Sequence, residues 1–330
     1  MRTTKTTLLA TGRYLPEREV TNAGLGALFP ASRLPLIEQK TGIRSRRHAA
    51  PEEATSDLAF KAAIPALLRA GIQAKDLDVI IVATSSPDRL IPATATRVQQ
   101  LLGASSAYAF DLNAVCTGSL YALNVAAALI DSGRAANVLV ITADTYSRFL
   151  NPKDFSTYPY FGDGAGAVLL GRSTAGGAPE MQECILHADG AGFDTIQIAG
   201  GGARLPWNRL SNENDAFFSM NGRDVFEFAV SRGSEVVGEL LAAAKLKPDD
   251  VSAVITHQAN INIVDRIAVN TAIPRSRFFV NLDKYGNTAG ASIFIALDEW
   301  LAAGGGRPGD QLILVGFGGG LTWGACRFSF

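Results

Sequence analysis

Five short apolar runs punctuate the chain: VIIVATSS (79–86), VLVITAD (138–144), AGAVLLG (165–171), VSAVITHQ (251–258) and QLILVGFGGG (311–320). Each is dense in Val, Ile and Leu, and Ala- and Leu-rich segments with helical spacing lie between them. The pattern predicts an α/β fold whose strands are buried on both faces.

A shift of 174 residues superposes parts of this pattern on itself. AGIQAKDLDVIIV (70–82) falls on AKLKPDDVSAVIT (244–256), and without changing the offset Asn113 falls on Asn287 and Val138-Leu139-Val140 on Leu312-Ile313-Leu314. Matches among Ala, Leu and Val are cheap, but two units agreeing at one ungapped offset are not. The chain is therefore expected to hold two similar halves, 1–172 and 173–330, whose sheets pack together as a pseudo-dimer. RSTAGGAPE (172–180) has the composition of the linker between them.

The repeat makes two turns equivalent. DLNAVCTG (111–118) opens a helix predicted to stop at Ser132-Gly133, and YGNTAGAS (285–292) opens its counterpart. Cys116 therefore stands at a helix entrance, where partial positive charge from the backbone N–H groups is expected to lower a thiol's pKa and favour the nucleophilic thiolate. The competing reading is a small buried hydrophobe; Asn113, Thr117, Gly118 and Ser119 leave room for a substrate and favour the nucleophile. His257 follows the strand VSAVIT directly, at the kind of strand edge where α/β active sites gather. His48, in RSRRHAAPEE, reads as a solvated loop residue, and His187 has no catalytic company. Asn287, besides capping a helix, can join a neutral imidazole in donating hydrogen bonds to an enolate oxygen.

Composition narrows the function. With 330 residues, 47% hydrophobic and 18% charged, the chain is globular, and 30 basic against 31 acidic residues suggest neither a nucleic-acid footprint nor a polybasic membrane anchor. The three cysteines form no CxxC pair. Their odd number predicts a reducing, cytoplasmic setting, with Cys184 and Cys326 as space-filling thiols. The apolar run in MRTTKTTLLATG is too short for a signal peptide or membrane span.

Cys116 in DLNAVCTG, His257 in HQAN, Asn287 in YGNTAGAS, FGDGAGA, TGIRSRR and the terminal GFGGGLTWG together resemble the β-ketoacyl-acyl carrier protein synthase III family along nearly the whole chain. The resemblance implies the thiolase fold, a five-layered αβαβα arrangement of duplicated halves, usually dimeric. It implies a ping-pong decarboxylative Claisen condensation. In that reaction Cys116 takes an acyl group from a coenzyme A or carrier-protein thioester, and His257 and Asn287 steady the enolate of a malonyl-type extender. Backbone N–H groups of Cys116 and Gly319 would form the oxyanion hole, with no metal or organic cofactor. Gly222, Asn260 and Phe317 would contact substrate.

Departures from the family pattern point to a specialised member, from secondary metabolism, signalling or fatty-acid-related biosynthesis, and not to the housekeeping starter enzyme. Leu36 and Phe155 stand where a tryptophan and an arginine usually sandwich the coenzyme A adenine. Ile91 stands where a partner-subunit phenylalanine usually closes the acyl pocket, so a longer or branched acyl group becomes possible. Glu227, Asn262, Val269 and Asn270 replace a basic carrier-docking patch that Arg223, Arg266, Arg275 and Arg277 could rebuild. Three alternatives compete with condensation. One is acyl transfer from Cys116 to a hydroxyl or amine. The second is a hydroxymethylglutaryl-coenzyme A synthase-like reaction, which needs an acidic base near Cys116 that neither Asp88 nor Asp111 convincingly supplies. The third is a catalytically silent partner subunit, which an intact Cys116 disfavours.

Overall fold

The computed structural model describes residues 6–172 and 178–330. The expected boundary between the halves, and most of the linker RSTAGGAPE, lie outside the described residues.

The strands in chain order are β1 (Thr6–Tyr14), β2 (Arg18–Thr21), β3 (Ser45–His48), β4 (Val79–Ala83), β5 (Tyr108–Leu112), β6 (Asn137–Asp144) and β7 (Gly164–Arg172). They continue as β8 (Glu180–Ala188), β9 (Ile196–Ile198), β10 (Phe218–Met220), β11 (Ala253–Thr256), β12 (Gln311–Gly318) and β13 (Thr322–Ser329). The helices are α1 (Leu34–Thr41), α2 (Thr55–Ala70), α3 (Thr94–Leu102), α4 (Gly118–Asp131), α5 (Gly222–Ala244), α6 (Ile261–Thr271), α7 (Leu282–Tyr285) and α8 (Ser292–Ala302). All five apolar runs contain strands.

Strands hydrogen-bond in the order β11-β12-β13-β8-β1-β7-β6-β4-β5. In the first half β4 runs parallel to β5 and β6, while β7 is antiparallel to β6 and β1. The second half repeats this: β11 is parallel to β12, and β13 is antiparallel to β12 and β8. The two sheets also meet edge to edge, where Thr7 pairs with Glu180 and the Leu8 N–H donates to Pro179 O at 2.8 Å.

Alternate faces of the buried strands feed different layers, because successive strand residues point to opposite sides. Val79, Ile81, Val138 and Val140 from one sheet, and Ala253, Ile255, Leu312 and Leu314 from the other, close on α4 and α8 between them. Ile80, Val82, Leu139 and Ile141 face α2 and α3; Val254, Ile313 and Val315 face α5 and α6. The result is five layers, αβαβα. Helices between two sheets must be apolar all round. Leu120, Leu123 and Ile130 of α4 and Ile293, Phe294 and Leu297 of α8 are fully buried, each contributing about 1.5–3 kcal/mol.

The 174-residue offset survives in the backbone. It carries β1 onto β8 and β6 onto β12 residue for residue, and the tight turn Val115–Thr117 onto Ala289–Ala291. α4 and α8 then begin at equivalent positions.

Two expectations are corrected. Cys184 and Cys326 are directly paired across β8 and β13 with Cα atoms 4.1 Å apart, and they form a disulfide. They lie 142 residues apart in sequence, so only the sheet register makes them neighbours. His48 is buried in β3, edge-on to Tyr158, because β3 pairs with β2 where a solvated loop was expected.

α8 approaches β7 most closely at Gly166, where a Cβ would lie 2.4 Å from Phe294 Cβ and 2.9 Å from Ile295 N. Gly166→Ala should lower unfolding free energy by about 1–3 kcal/mol in denaturant titrations, the usual cost of overpacking a core.

Candidate active site

Cys116 sits in the turn Val115–Thr117 that leads into α4. His257 follows β11, its N–H donating to Val315 O at 2.7 Å, so β12 fixes where the imidazole emerges. Asn287 lies on the turn ahead of α8: its N–H donates to Tyr160 O at 2.8 Å, and its Oδ1 accepts from Ala289 N–H at 2.9 Å. That bond leaves the Asn287 amide nitrogen as a donor. The three side chains line one cavity of about 400 Å³, together with Phe317 and Gly318. Its exposed rim carries Lys40, Ser156 and Gly222.

The cavity end near Cys116 is aromatic. Tyr146 and Phe161 stack with centroids 5.2 Å apart, and Phe218 meets both edge-on at 5.4 and 4.9 Å. Tyr146 is held by a 2.9 Å hydrogen bond between its hydroxyl and Ser85 Oγ.

His257 is held on one side only. Its Nδ1 is 2.8 Å from Ser292 Oγ, which also accepts the Gln258 N–H at 3.2 Å, and Phe317 packs edge-on against the ring at 5.4 Å. Burial pushes the His257 pKa down to about 3, so the imidazole is neutral at physiological pH. Ser292 was not foreseen; it is the first residue of α8, and its bond to His257 crosses 35 positions in sequence.

The thiol runs against expectation. Burial, and then the negative charge of Asp144, push the Cys116 pKa well above its ordinary value, outweighing the bond from its own backbone N–H. Helix-terminus charge acts over a short range, and α4 itself begins two residues later, at Gly118.

Gly318, not Gly319, lines the cavity. A Cβ on Gly318 would lie 2.9 Å from Cys116 N, so the backbone can pass Cys116 only with glycine there. Gly319 borders an adjoining groove of about 820 Å³ that shares Val115 and Ile196 with the cavity. Among the described residues, the N–H groups of Cys116 and Gly319 donate to no other residue; that of Cys116 faces its own sulfur.

Of the expected substrate contacts, Gly222, Asn260 and Phe317 line the cavity, whereas Leu36, Ile91 and Phe155 do not. Leu36 is half-buried on α1. Phe155 lies under the Arg33 guanidinium at 5.5 Å and edge-on to Phe29 at 5.2 Å. Ile91 is 84% exposed. Most of the arginines offered for a basic patch are engaged: Arg223 with Glu227, Arg275 with Asp265, and Arg277 with the carbonyls of Asp249 and Val251.

The chain matches the family profile for 3-oxoacyl-[acyl-carrier-protein (ACP)] synthase III over residues 110–190 and that for the C terminal part of the same family over 241–330. It is 44% identical over 313 residues to the β-ketoacyl-[acyl-carrier-protein] synthase III of Roseiflexus sp. (strain RS-1), an alignment covering 94% of each chain. The chain belongs to the β-ketoacyl-acyl carrier protein synthase III family. The synthase III of Clostridium perfringens (strain SM101 / Type A) is 43% identical over 96% of this chain and 97% of its own. Among solved structures, synthase III from Aquifex aeolicus VF5 superposes with a TM-score of 0.90 at 39% identity, over 98% of this chain and 100% of its own. The priming β-ketosynthase from the R1128 polyketide biosynthetic pathway superposes with a TM-score of 0.89 at 30% identity, over 98% and 96%. The thiolase fold expected of a synthase III is thus the fold observed.

A thiol held above its ordinary pKa has a simple signature in a synthase III of this geometry. Alkylation of Cys116 by iodoacetamide should still be accelerating at pH 9, and a rate that levels off below pH 8 would mean the thiolate forms more easily than the surroundings described here allow.

Proposed function

We propose that this chain is a condensing enzyme joining an acyl thioester to a malonyl-type thioester through an acyl-Cys116 intermediate. The observation that carries the reading is the convergence of Cys116, neutral His257 and Asn287 on one cavity.

The sulfur of Cys116 attacks the donor's carbonyl carbon, and the thiol proton leaves with the departing thiol of coenzyme A or carrier protein. The N–H groups of Cys116 and Gly319, which donate to no other residue among those described, would serve as oxyanion donors for the charge developing on that oxygen. A malonyl-type thioester then enters. With the Ser292 hydroxyl donating to His257 Nδ1, the ring proton is assigned to Nε2. That proton and the Asn287 amide hydrogen both point to the extender's thioester oxygen. Loss of CO2 leaves an enolate at that oxygen; its carbon attacks the acyl carbonyl, the acyl–sulfur bond breaks to release the β-ketoacyl product, and the departing Cys116 thiolate takes up a proton to restore the thiol. Covalent catalysis thereby splits one hard bond formation into two easier steps. The residues themselves supply these roles without a metal or organic cofactor.

The wider reading keeps the halves at 1–172 and 173–330 and a homodimer, in which Ile91 of a second copy would close the acyl end; the cytoplasmic setting it also keeps rests on family membership and no longer on the cysteines, two of which are paired. Leu36 and Phe155 favour a specialised primer. Acyl transfer to a hydroxyl or amine is the second reading, but it has no need of the His257–Asn287 donor pair. An acidic base is not free for a hydroxymethylglutaryl-type reaction: Asp144, the carboxylate closest to this role, has both oxygens occupied by protein donors.

Malonyl thioester decarboxylation separates the roles. His257→Ala should slow CO2 release by about 10²–10³-fold, the usual cost of one oxyanion donor, while Cys116 still acylates at near the wild-type rate. Equal loss of both partial reactions would remove the assigned role of His257.

A further inference from the structure

Asp144 is fully buried at the end of β6, and among the described residues no cation pairs with it. Its Oδ1 accepts from Ser85 N–H at 3.0 Å, Ser86 Oγ at 2.9 Å, and the hydroxyls of Thr84 and Ser85 at 3.2 Å each. Its Oδ2 accepts from a single donor, Gly290 N–H, at 3.1 Å. A buried carboxylate without a counter-charge is costly to keep, and the reaction steps above make no use of it.

The 174-residue offset shows what it replaces. Cys116 corresponds to Gly290, Gly319 to Thr145, and Gly318 to Asp144. Val115 and Ala289, one residue before each pair member, share the same left-handed conformation with φ of 48°. In each turn the preceding asparagine accepts from that residue's N–H, Asn113 at 3.1 Å and Asn287 at 2.9 Å. The two turns are therefore copies in conformation as well as position.

Their N–H groups have opposite fates. Among the described residues, those of Cys116 and Gly319 donate to no other residue, with glycine at 318. Their duplicates are both satisfied: Gly290 N–H by Asp144 Oδ2, and Thr145 N–H by Ser86 Oγ at 2.9 Å.

We propose that Asp144 is a positioning residue, an internal anion that fills the duplicate of the oxyanion hole and thereby fixes the Asn287 turn for enolate stabilisation. The inference rests on the condensing reading and names a further residue within it. Asp144 reaches Asn287 through Gly290, three residues along the same turn. Gly290 itself packs tightly there, a Cβ on it lying 3.0 Å from Val115 O and 3.2 Å from Asp144 Oδ2. The carboxylate thus holds the enolate-stabilising turn against the nucleophile's turn. Its placement beside Cys116 also adds to the resistance of that thiol to ionisation.

Asp144→Asn tests this. One amide oxygen cannot accept from both the Ser85–Ser86 cluster and Gly290, and an NH2 group facing Gly290 N–H repels it. In the full-length enzyme, malonyl thioester decarboxylation should fall at least tenfold in kcat with KM within twofold, while acylation of Cys116, followed by intact mass, stays within twofold. The alkylation profile of Cys116 should shift to lower pH as the negative charge is lost. Should Asp144→Asn not accumulate as folded protein, Ser86→Ala removes one Oδ1 donor together with the acceptor of Thr145 N–H, and leaves the Gly290 bond. It should give the same selective loss at two- to fivefold. Unchanged decarboxylation, or equal loss of both partial reactions, overturns the positioning role. Failure of the unmodified enzyme to acylate at all would instead overturn the condensing reading.

Discussion

Everything in the site depends on two tight turns packed face to face between the sheets. The turn before α4 carries Cys116, and the turn before α8 carries Asn287 and, at its end, the Ser292 that holds His257. Their separation is set by backbone, since Gly290 allows no side chain between its turn and Val115 O. The apolar helices behind them, locked between two sheets, leave neither turn room to drift.

This arrangement explains why the chemistry is asymmetric in a molecule built from repeats. Identical turns need not do identical work; what differs is the residue at the end of the adjoining strand. Glycine at 318 leaves the N–H groups near Cys116 without an acceptor from another residue, while aspartate at 144 closes the copy at Gly290 and Ser86 the copy at Thr145. Burial then tunes the rest. It keeps His257 neutral, hence a hydrogen-bond donor without a full charge, and it keeps the resting thiol protonated.

Much of this was legible in the sequence. Buried β-branched runs marked the strands, and the 174-residue offset foretold that DLNAVCTG and YGNTAGAS would be equivalent and near each other. The same offset set Asp144 against Gly318, a signal available from the sequence but silent until hydrogen bonds gave it meaning. Other features had no local trace. The Cys184–Cys326 bond depends on sheet register, the burial of His48 on a short pairing of β2 with β3, and the Ser292–His257 contact on the crossing of α8 behind β11. The thiol's direction was misjudged because helix-terminus charge can be read from sequence, whereas burial and a carboxylate 28 residues downstream cannot. Ile91, Leu36 and Phe155 lie outside the cavity of the single chain, as positions proposed for a partner's acyl pocket and for the thioester's adenine would.

The account stands on a covalent acyl group at Cys116 that a malonyl-type thioester removes. Intact-protein and peptide mass spectrometry, taken before and after that second substrate is added, measures this directly. The account predicts an acyl adduct confined to the peptide bearing Cys116, discharged with release of CO2 and a β-ketoacyl thioester. An adduct that persists with the extender and instead transfers to an added amine or alcohol, or no adduct with any acyl thioester, would contradict it.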